Sequence, residues 1–318
     1  MPVKIARRIF AVAILALAAC SSQSTTKGTS SAAGGAPTKT IGVSIQNREA
    51  QFYQEMEAGM RAEAAKYGYA LDVVDANRDN ARQQSQVEDF ISQKVDAIVL
   101  TPYDSKAIGS AIVEANQAKI PVFTADIAST AKIGIVVAHI ASDNVQGGAE
   151  AATLLCKGMG GSGDVAIVDE PEVTSVQDRV RGFRAELAKS CPNAKIVADN
   201  DAGGQRDKAA TVVGDILQSH PQLRGIFGIN DDSALGALTA VQAAGLVGKV
   251  AIVGFDATPE ARTAIAKGGM YGDVVQHPQV IGKDVIDTIH NYFSGKTPPK
   301  LVKVPVGSFT AADAKKAP

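Results

Sequence analysis

The stretch from Leu223 to Asp256 limits the fold of the whole chain. It reads as a short apolar strand, a helix of about four turns and a second short apolar strand. Ile226 to Ile229 and Val250 to Val253 lack strict alternation. That is the pattern of strands covered on both faces, so the segment predicts a parallel βαβ unit. Asn230 follows the first strand and Asp256 the second. In an open α/β sheet the ligand crevice lies outside the carboxyl ends of the strands, so both side chains are placed where a small polar molecule would be held.

A chain of 318 residues is long enough for two such domains. The formal net charge is -1 and no basic patch follows the first ten residues, which excludes a nucleic-acid partner. Those first residues are a separate matter. Lys4, Arg7 and Arg8 precede an apolar run, Ile9 to Leu17, too short to span a bilayer, and Leu17-Ala18-Ala19-Cys20 forms a small-residue cleavage site. Either this is an ordinary secretory peptide or, by its resemblance to bacterial lipoprotein signals, Cys20 becomes the lipid-bearing first residue of the mature protein. Ser21 to Lys39 is rich in Ser, Thr, Gly and Ala and reads as a flexible tether. The folded part is then exported, held at the outer face of the cytoplasmic membrane or in the periplasm. Export leaves Cys156 and Cys191, an even pair that reads as a disulfide or as two buried thiols. The four histidines, at 139, 220, 277 and 290, are scattered, so no metal site is expected.

Strand and helix alternate along the rest. Strands are expected at 39–45, 71–74, 97–100 and 121–124, a weaker one at 133–138, and helices at 50–67, 81–93 and 107–118. Gly68 is a stop signal for the first helix, and Asp79 can cap the second. Asp143 caps a helix reaching Cys156, and the grammar repeats: strand 164–168, a helix from Thr174 or Ser175 to near Ser190, strand 196–198 and helix 205–218. The unit described above follows, then helix 259–267 and strand 271–275. This is an α/β chain of two similar βαβ domains. In the tail, Val280, Ile281, Val285, Ile289 and Phe293 give 276–293 an apolar face, and 301–306 alternates as a strand. That is one helix more than the second domain needs, so the tail is expected to cross back to the first.

The ordered stretches EAAKYGY at 63–69, SDNVQGG at 142–148, RGF at 181–183, FGINDDSALGA at 227–237, VGFDATPE at 253–260 and VVQHPQVIG at 274–282 resemble the type I periplasmic substrate-binding proteins of ABC transporters, closest to the ribose-binding branch. The resemblance spans about Thr40 to Phe309. It implies two Rossmann-like βαβ lobes joined by a three-segment hinge, with one neutral sugar or polyol enclosed between them and a membrane permease as partner. The boundaries become 1–20 for the signal, 21–38 for the tether, 39–140 with 277–302 for the N-terminal lobe, 141–276 with 303–311 for the C-terminal lobe, and 312–318 for a tail. The protein is expected to be a monomer. Repressors of the same fold carry a DNA-binding helix-turn-helix where this chain has its signal and tether.

By the resemblance, Asp126, Asn230, Asp256 and Gln276 match positions that touch the sugar, and Phe52 and Tyr53 match an aromatic pair lining its apolar face. Carboxylates suit adjacent hydroxyls because each oxygen can accept from one. The residues also allow plainer roles: Asp126 and Asp256 as caps or turn residues, Gln276 as part of the hinge, and the aromatic pair as core. Tyr103, after the third strand, is a further candidate. The chain departs from ribose-type members at Ala50 (usually Asn), at Ile127 and Gln177 (usually Arg), and at Gly203 or Gly204, where an aromatic is usual. Arg179 matches a more structural position. Two bidentate donors and a ring platform are thus missing, which argues against ribose in the family's usual pose. Arg48, Glu49 and Gln177 could remake part of the network, and a linear polyol, or a sugar larger than ribose using the space at Gly204, would fit.

No nucleophile stands beside a base and no phosphate loop follows the first strand, while GMGGSG at 158–163 precedes a strand. Neither catalysis nor a cofactor is expected. The alternative to transport is a sensor for a sugar-like signal, docking on a receptor or kinase.

Overall fold

A computed structural model describes residues 38–316. The signal peptide, the lipidation expected at Cys20 and the tether up to residue 37 lie outside them. The first lobe runs through β1 (Lys39–Ile45), α1 (Gln51–Tyr67), β2 (Tyr69–Asp75), α2 (Asn80–Gln93), β3 (Ala97–Leu100), α3 (Gly109–Gln117), β4 (Val122–Ala125) and β5 (Val136–Ser142). The second holds α4 (Asn144–Met159), β6 (Ser162–Asp169), α5 (Thr174–Ser190), β7 (Asn193–Asp201), α6 (Arg206–Ser219), β8 (Leu223–Gly228), α7 (Asp231–Ala243), β9 (Ala251–Asp256), α8 (Pro259–Ala266) and β10 (Gly272–Val275). Then α9 (Pro278–Phe293) and β11 (Leu301–Val304) return to the first lobe, and β12 (Gly307–Thr310) and α10 (Ala311–Ala314) to the second.

Each lobe is a six-stranded sheet, ordered β11-β5-β4-β3-β1-β2 in the first and β12-β10-β9-β8-β6-β7 in the second. Counted within its lobe, each is the doubly wound order 2-1-3-4-5 with a returning strand at one edge. The central strands β3 and β4 are buried along their whole length, which is why their apolar runs do not alternate. The chain crosses between lobes after β5, after β10 and between β11 and β12.

Two expectations shift. The strand expected at 133–138 is β5, at Val136–Ser142. Ile133 and Ile135 stand outside it, 58% and 66% exposed. His139 lies within the strand, its Nδ1 2.9 Å from Thr124 Oγ1 on β4. The strand expected at 301–306 ends early, as β11 at Leu301–Val304, parallel to β5, and a further strand follows it, β12 at Gly307–Thr310, antiparallel to β10. Pro305 stands between them and has no N–H to continue a ladder.

Glycines bring two pairs of helices into backbone contact. A Cβ on Gly59 of α1 would stand 2.2 Å from Gln279 O, and one on Gly282 of α9 would stand 2.1 Å from Met56 O. In the second lobe the same holds for Gly148 of α4 against Arg179 O, at 1.9 Å, and Gly182 of α5 against Val145 O, at 2.1 Å. Cys156 and Cys191 form a disulfide across this second pair, with Cα atoms 5.9 Å apart.

A buried acid pair lies under α7. Asp231 Oδ2 accepts from the Thr258 N–H at 2.7 Å, whereas Asp231 Oδ1 and both Asp273 oxygens have no donor among the described residues. The carboxyls flank Gly254, whose Cβ would stand 2.9 Å from an oxygen of each. Two carboxyls so placed share a proton, because both cannot ionise away from water. Burial, and then the Asp231 charge, push Asp273 well above the ordinary carboxylate range.

Gly148→Ala should destabilise the fold by about 1–3 kcal/mol, since α4 has no room to move off α5. Gly214→Ala, in α6 with nothing within 4 Å, should instead stabilise by about 0.4–1 kcal/mol. Thermal melting of both variants checks the contrast. Asp273 keeps a proton on folding that the unfolded chain releases near pH 4, so its contribution to stability falls as pH rises above that value. Asp273→Asn should therefore melt a few degrees above the parent at pH 8, with the difference closing towards pH 4. An equal melting temperature at pH 8 would show that the pair carries no strain.

Candidate ligand-binding site

The carboxyl ends of the strands from both lobes meet at one cleft. Gln46 and Asn47 follow β1, Asp126 follows β4, Glu170 follows β6, Asn230 follows β8, Asp256 ends β9 and Gln276 follows β10. The first turn of α1 adds Phe52 and Tyr53, and α5 adds Arg179. Together they enclose about 440 Å³, counted with the opening to solvent.

Most of these side chains are already tied to one another. Tyr53 Oη is 2.7 Å from Gln46 Oε1 and 3.2 Å from Asp126 Oδ2, and its one proton serves both. Gln46 Nε2 then donates across the cleft to Glu170 Oε1 at 3.1 Å. Asp126, with φ of 63°, is turned out of the strand direction into the cleft. Its Oδ1 is buried without a donor among the described residues. Burial raises Asp126 to about 6, against the opposing pull of the Arg179 charge and the Tyr53 hydroxyl. Burial likewise raises Glu170 to about 7, although the charges of Arg78 and Arg179 and the Gln46 hydrogen bond pull it down.

In the second lobe Gln276 Nε2 donates to Asp256 Oδ1 at 2.6 Å, and Gln276 Oε1 is buried without a partner among the described residues. Burial and then the Asp231 charge push Asp256 well above the carboxylate range. Asn230 Oδ1 caps α7 by accepting from the Ser233 N–H at 2.8 Å, and its Nδ2 donates to Gly204 O at 3.2 Å. Capping and a place in the cleft wall are thus held by one side chain. Arg179 donates from Nε to Asn144 Oδ1 at 2.9 Å and from Nη1 to Ile229 O at 2.8 Å, with its guanidinium 4.0 Å above the Phe255 ring. Nη2 is the group left over. The rings of Phe52 and Tyr53 pack edge to face at 5.2 Å, with Phe52 only 6% exposed.

The lobes also touch at a rim beside the cleft. Thr174 Oγ1 accepts from the Ala128 N–H at 2.9 Å, the Thr174 N–H donates to Ser105 Oγ at 3.0 Å, and the Ser105 N–H donates to Glu172 O at 3.1 Å.

The structure brings Phe52, Tyr53, Asp126, Gly204, Asn230, Asp256 and Gln276 to the cleft. Four other candidates stand apart. Gln177 is on the far face of α5 and donates to Pro171 O at 2.8 Å; residues two apart on a helix do not share a face, so Arg179 takes the inward position. Arg48 is bound outside to Glu57 and Val73 O. Glu49 pairs with Arg78 Nη1 at 2.6 Å at the outer mouth. Tyr103 is half-buried off the lining, its N–H donating to Gln83 Oε1 at 3.1 Å. Nor is there room for a larger ligand at Gly204, where a Cβ would meet Glu170 Oε2 at 2.5 Å and Asn230 Nδ2 at 2.9 Å.

Sequence reasoning missed Gln46, Asn47, Arg78, Glu170 and Arg179 as cleft residues. The strand-end rule that singled out Asn230 and Asp256 applies equally to Gln46-Asn47 after β1 and to Glu170 after β6. Arg179 was legible from its spacing with Val176 and Phe183, both buried on the same helix face.

Comparison with known proteins agrees with this geometry. Residues 41–297 match the family described as periplasmic binding protein domain. The chain is 33% identical to the ribose import binding protein of Bacillus subtilis over 94% of this chain and 96% of that one. It is 31% identical to the xylitol-binding protein of Mycolicibacterium smegmatis, over 86% and 79% respectively. A solved structure, the Caulobacter myo-inositol binding protein bound to myo-inositol, superposes with a TM-score of 0.81 at 31% identity, over 88% of this chain and 95% of that one. The two doubly wound lobes, the three crossings and the match over most of the chain lead to one conclusion: this is a solute-binding protein, not an enzyme, and it belongs to the periplasmic binding protein family.

Proposed function

We propose that the protein captures a sugar or polyol between its lobes and delivers it to the permease of an ABC importer. The observation that carries this reading is the cleft's polar ring, supplied by strand ends of both lobes and containing two buried acceptors without donors, Asp126 Oδ1 and Gln276 Oε1. A polyhydroxyl ligand offers several O–H donors on one small frame, and each buried acceptor left unpaired costs about 1–3 kcal/mol. Phe52 gives the ring an apolar face against which C–H groups can pack. The relatives add support, since the proteins they name bind ribose, xylitol and myo-inositol. Delivery from outside the cytoplasmic membrane, with Cys20 as a lipid anchor, completes the proposal.

A thermal-shift panel of pentoses, hexoses, inositols and straight-chain polyols, followed by calorimetry, tests it. Ligand that binds only the folded state raises the melting temperature, so a substrate should stand out. Asp256→Ala should weaken the best ligand by about ten- to a hundredfold, because a hydroxyl buried against the carboxyl would lose its partner. Failure of every sugar and polyol to shift the melt would remove the reading.

A further inference from the structure

The charges in the cleft do not balance. Asp126 and Glu170 line it as acids beside the guanidiniums of Arg78 and Arg179, while Asp256, which burial and the Asp231 charge push towards its neutral form, adds no further charge. Arg78 is already paired with Glu49. Arg179 spends Nε and Nη1 on Asn144 and the Ile229 carbonyl. Among the described residues none of the three carboxyls has a cation within 4.0 Å. Buried charges are ordinarily paired, so the protein leaves this charge for something else to answer.

Glu170 is the group that tips the balance. It is 6% exposed, and the only hydrogen bond its carboxyl makes among the described residues is the one that Oε1 accepts from Gln46. Oε2 lies over Gly204, which has φ of 61° and no side chain to cover it. Asp126 Oδ1, on the facing lobe, is a buried acceptor without a donor among the described residues.

We propose that the cleft takes a sugar or polyol bearing a protonated amino group, and that Glu170 is the specificity-determining residue that pairs with the ammonium. This rests on the sugar or polyol reading and adds one term to it. An ammonium carries three donors and one positive charge, which supplies a donor for Glu170 Oε2 and the charge that Asp126 and Glu170 together need beyond Arg179. Neutral hydroxyls would satisfy the hydrogen bonds but not the charge.

Calorimetry at pH 8 on the folded chain tests this with matched pairs: D-glucosamine against D-glucose, D-galactosamine against D-galactose, and 1-amino-1-deoxy-D-glucitol against D-glucitol. At least one amino ligand should bind about tenfold or more tighter than its hydroxyl parent, as a charge-assisted bond replaces a neutral one. In Glu170→Gln, which keeps the shape of the side chain, the ratio of amino-ligand to hydroxyl-parent affinity should fall to about one, whatever happens to the affinity for the parent. Melting curves of Glu170→Gln and Glu170→Ala establish that both variants fold. Hydroxyl parents that bind as tightly as their amino counterparts would overturn the inference and leave the polyol reading standing. A preference that survives in Glu170→Gln would overturn the role of Glu170. Binding of neither class would overturn both.

Discussion

Carboxyl groups withdrawn from water must find partners, and the cleft is built around that requirement. Each lobe supplies acceptors that it does not satisfy by itself. The chain from Asp126 through Tyr53 and Gln46 to Glu170 shows the consequence, because its last bond crosses from one lobe to the other. Burial drives the carboxyls upward in pKa, and any donor that reaches them lowers the cost of holding them there. On the proposed function, closure and binding are one process, since the lobes would gain most when a molecule between them provides the missing donors. The rim contacts at Thr174 and Ser105 add a few hydrogen bonds, each worth about 0.5–1.5 kcal/mol net, too little to make closure independent of what lies in the cleft.

Rigid lobes make such a device work. The glycine contacts between α1 and α9, and between α4 and α5, let helix backbones approach closely, so each lobe moves as a unit and small errors at the strand ends are avoided. The second of these contacts also fixes Arg179, whose carbonyl touches Gly148 while its guanidinium lies over Phe255. Asp256 depends on a similar support: the Asp231 N–H reaches its Oδ2 at 3.5 Å, and the Asp231 carboxyl holds the Thr258 amide just beyond. The buried pair of Asp231 and Asp273 is then a fixture beneath the ligand-facing carboxyl.

Much of this was legible in the sequence. The doubled βαβ grammar, the tail's return and the cleft positions of Asn230, Asp256, Asp126 and Gln276 followed from strand ends and from family resemblance. What was not legible depended on geometry that short-range pattern does not encode. Gln177 and Arg179 differ by two positions, and which of them faces inward depends on the rotation of α5 against α4. The glycine at 204 suggested open space, but Glu170, distant in sequence, fills it. The strand at 133–138 was misplaced because Ile133 and Ile135 are apolar yet unpaired, while His139 is polar yet sits in the sheet, bonded to Thr124.

The central claim is that a ligand bridging both lobes holds them together. Small-angle scattering of the folded chain, alone and saturated with the tightest binder found in the panel of sugars, polyols and their amino derivatives, tests this most directly. The account predicts a smaller radius of gyration in the bound sample, reflecting closure of one lobe on the other. Identical scattering from the free and saturated protein would contradict it.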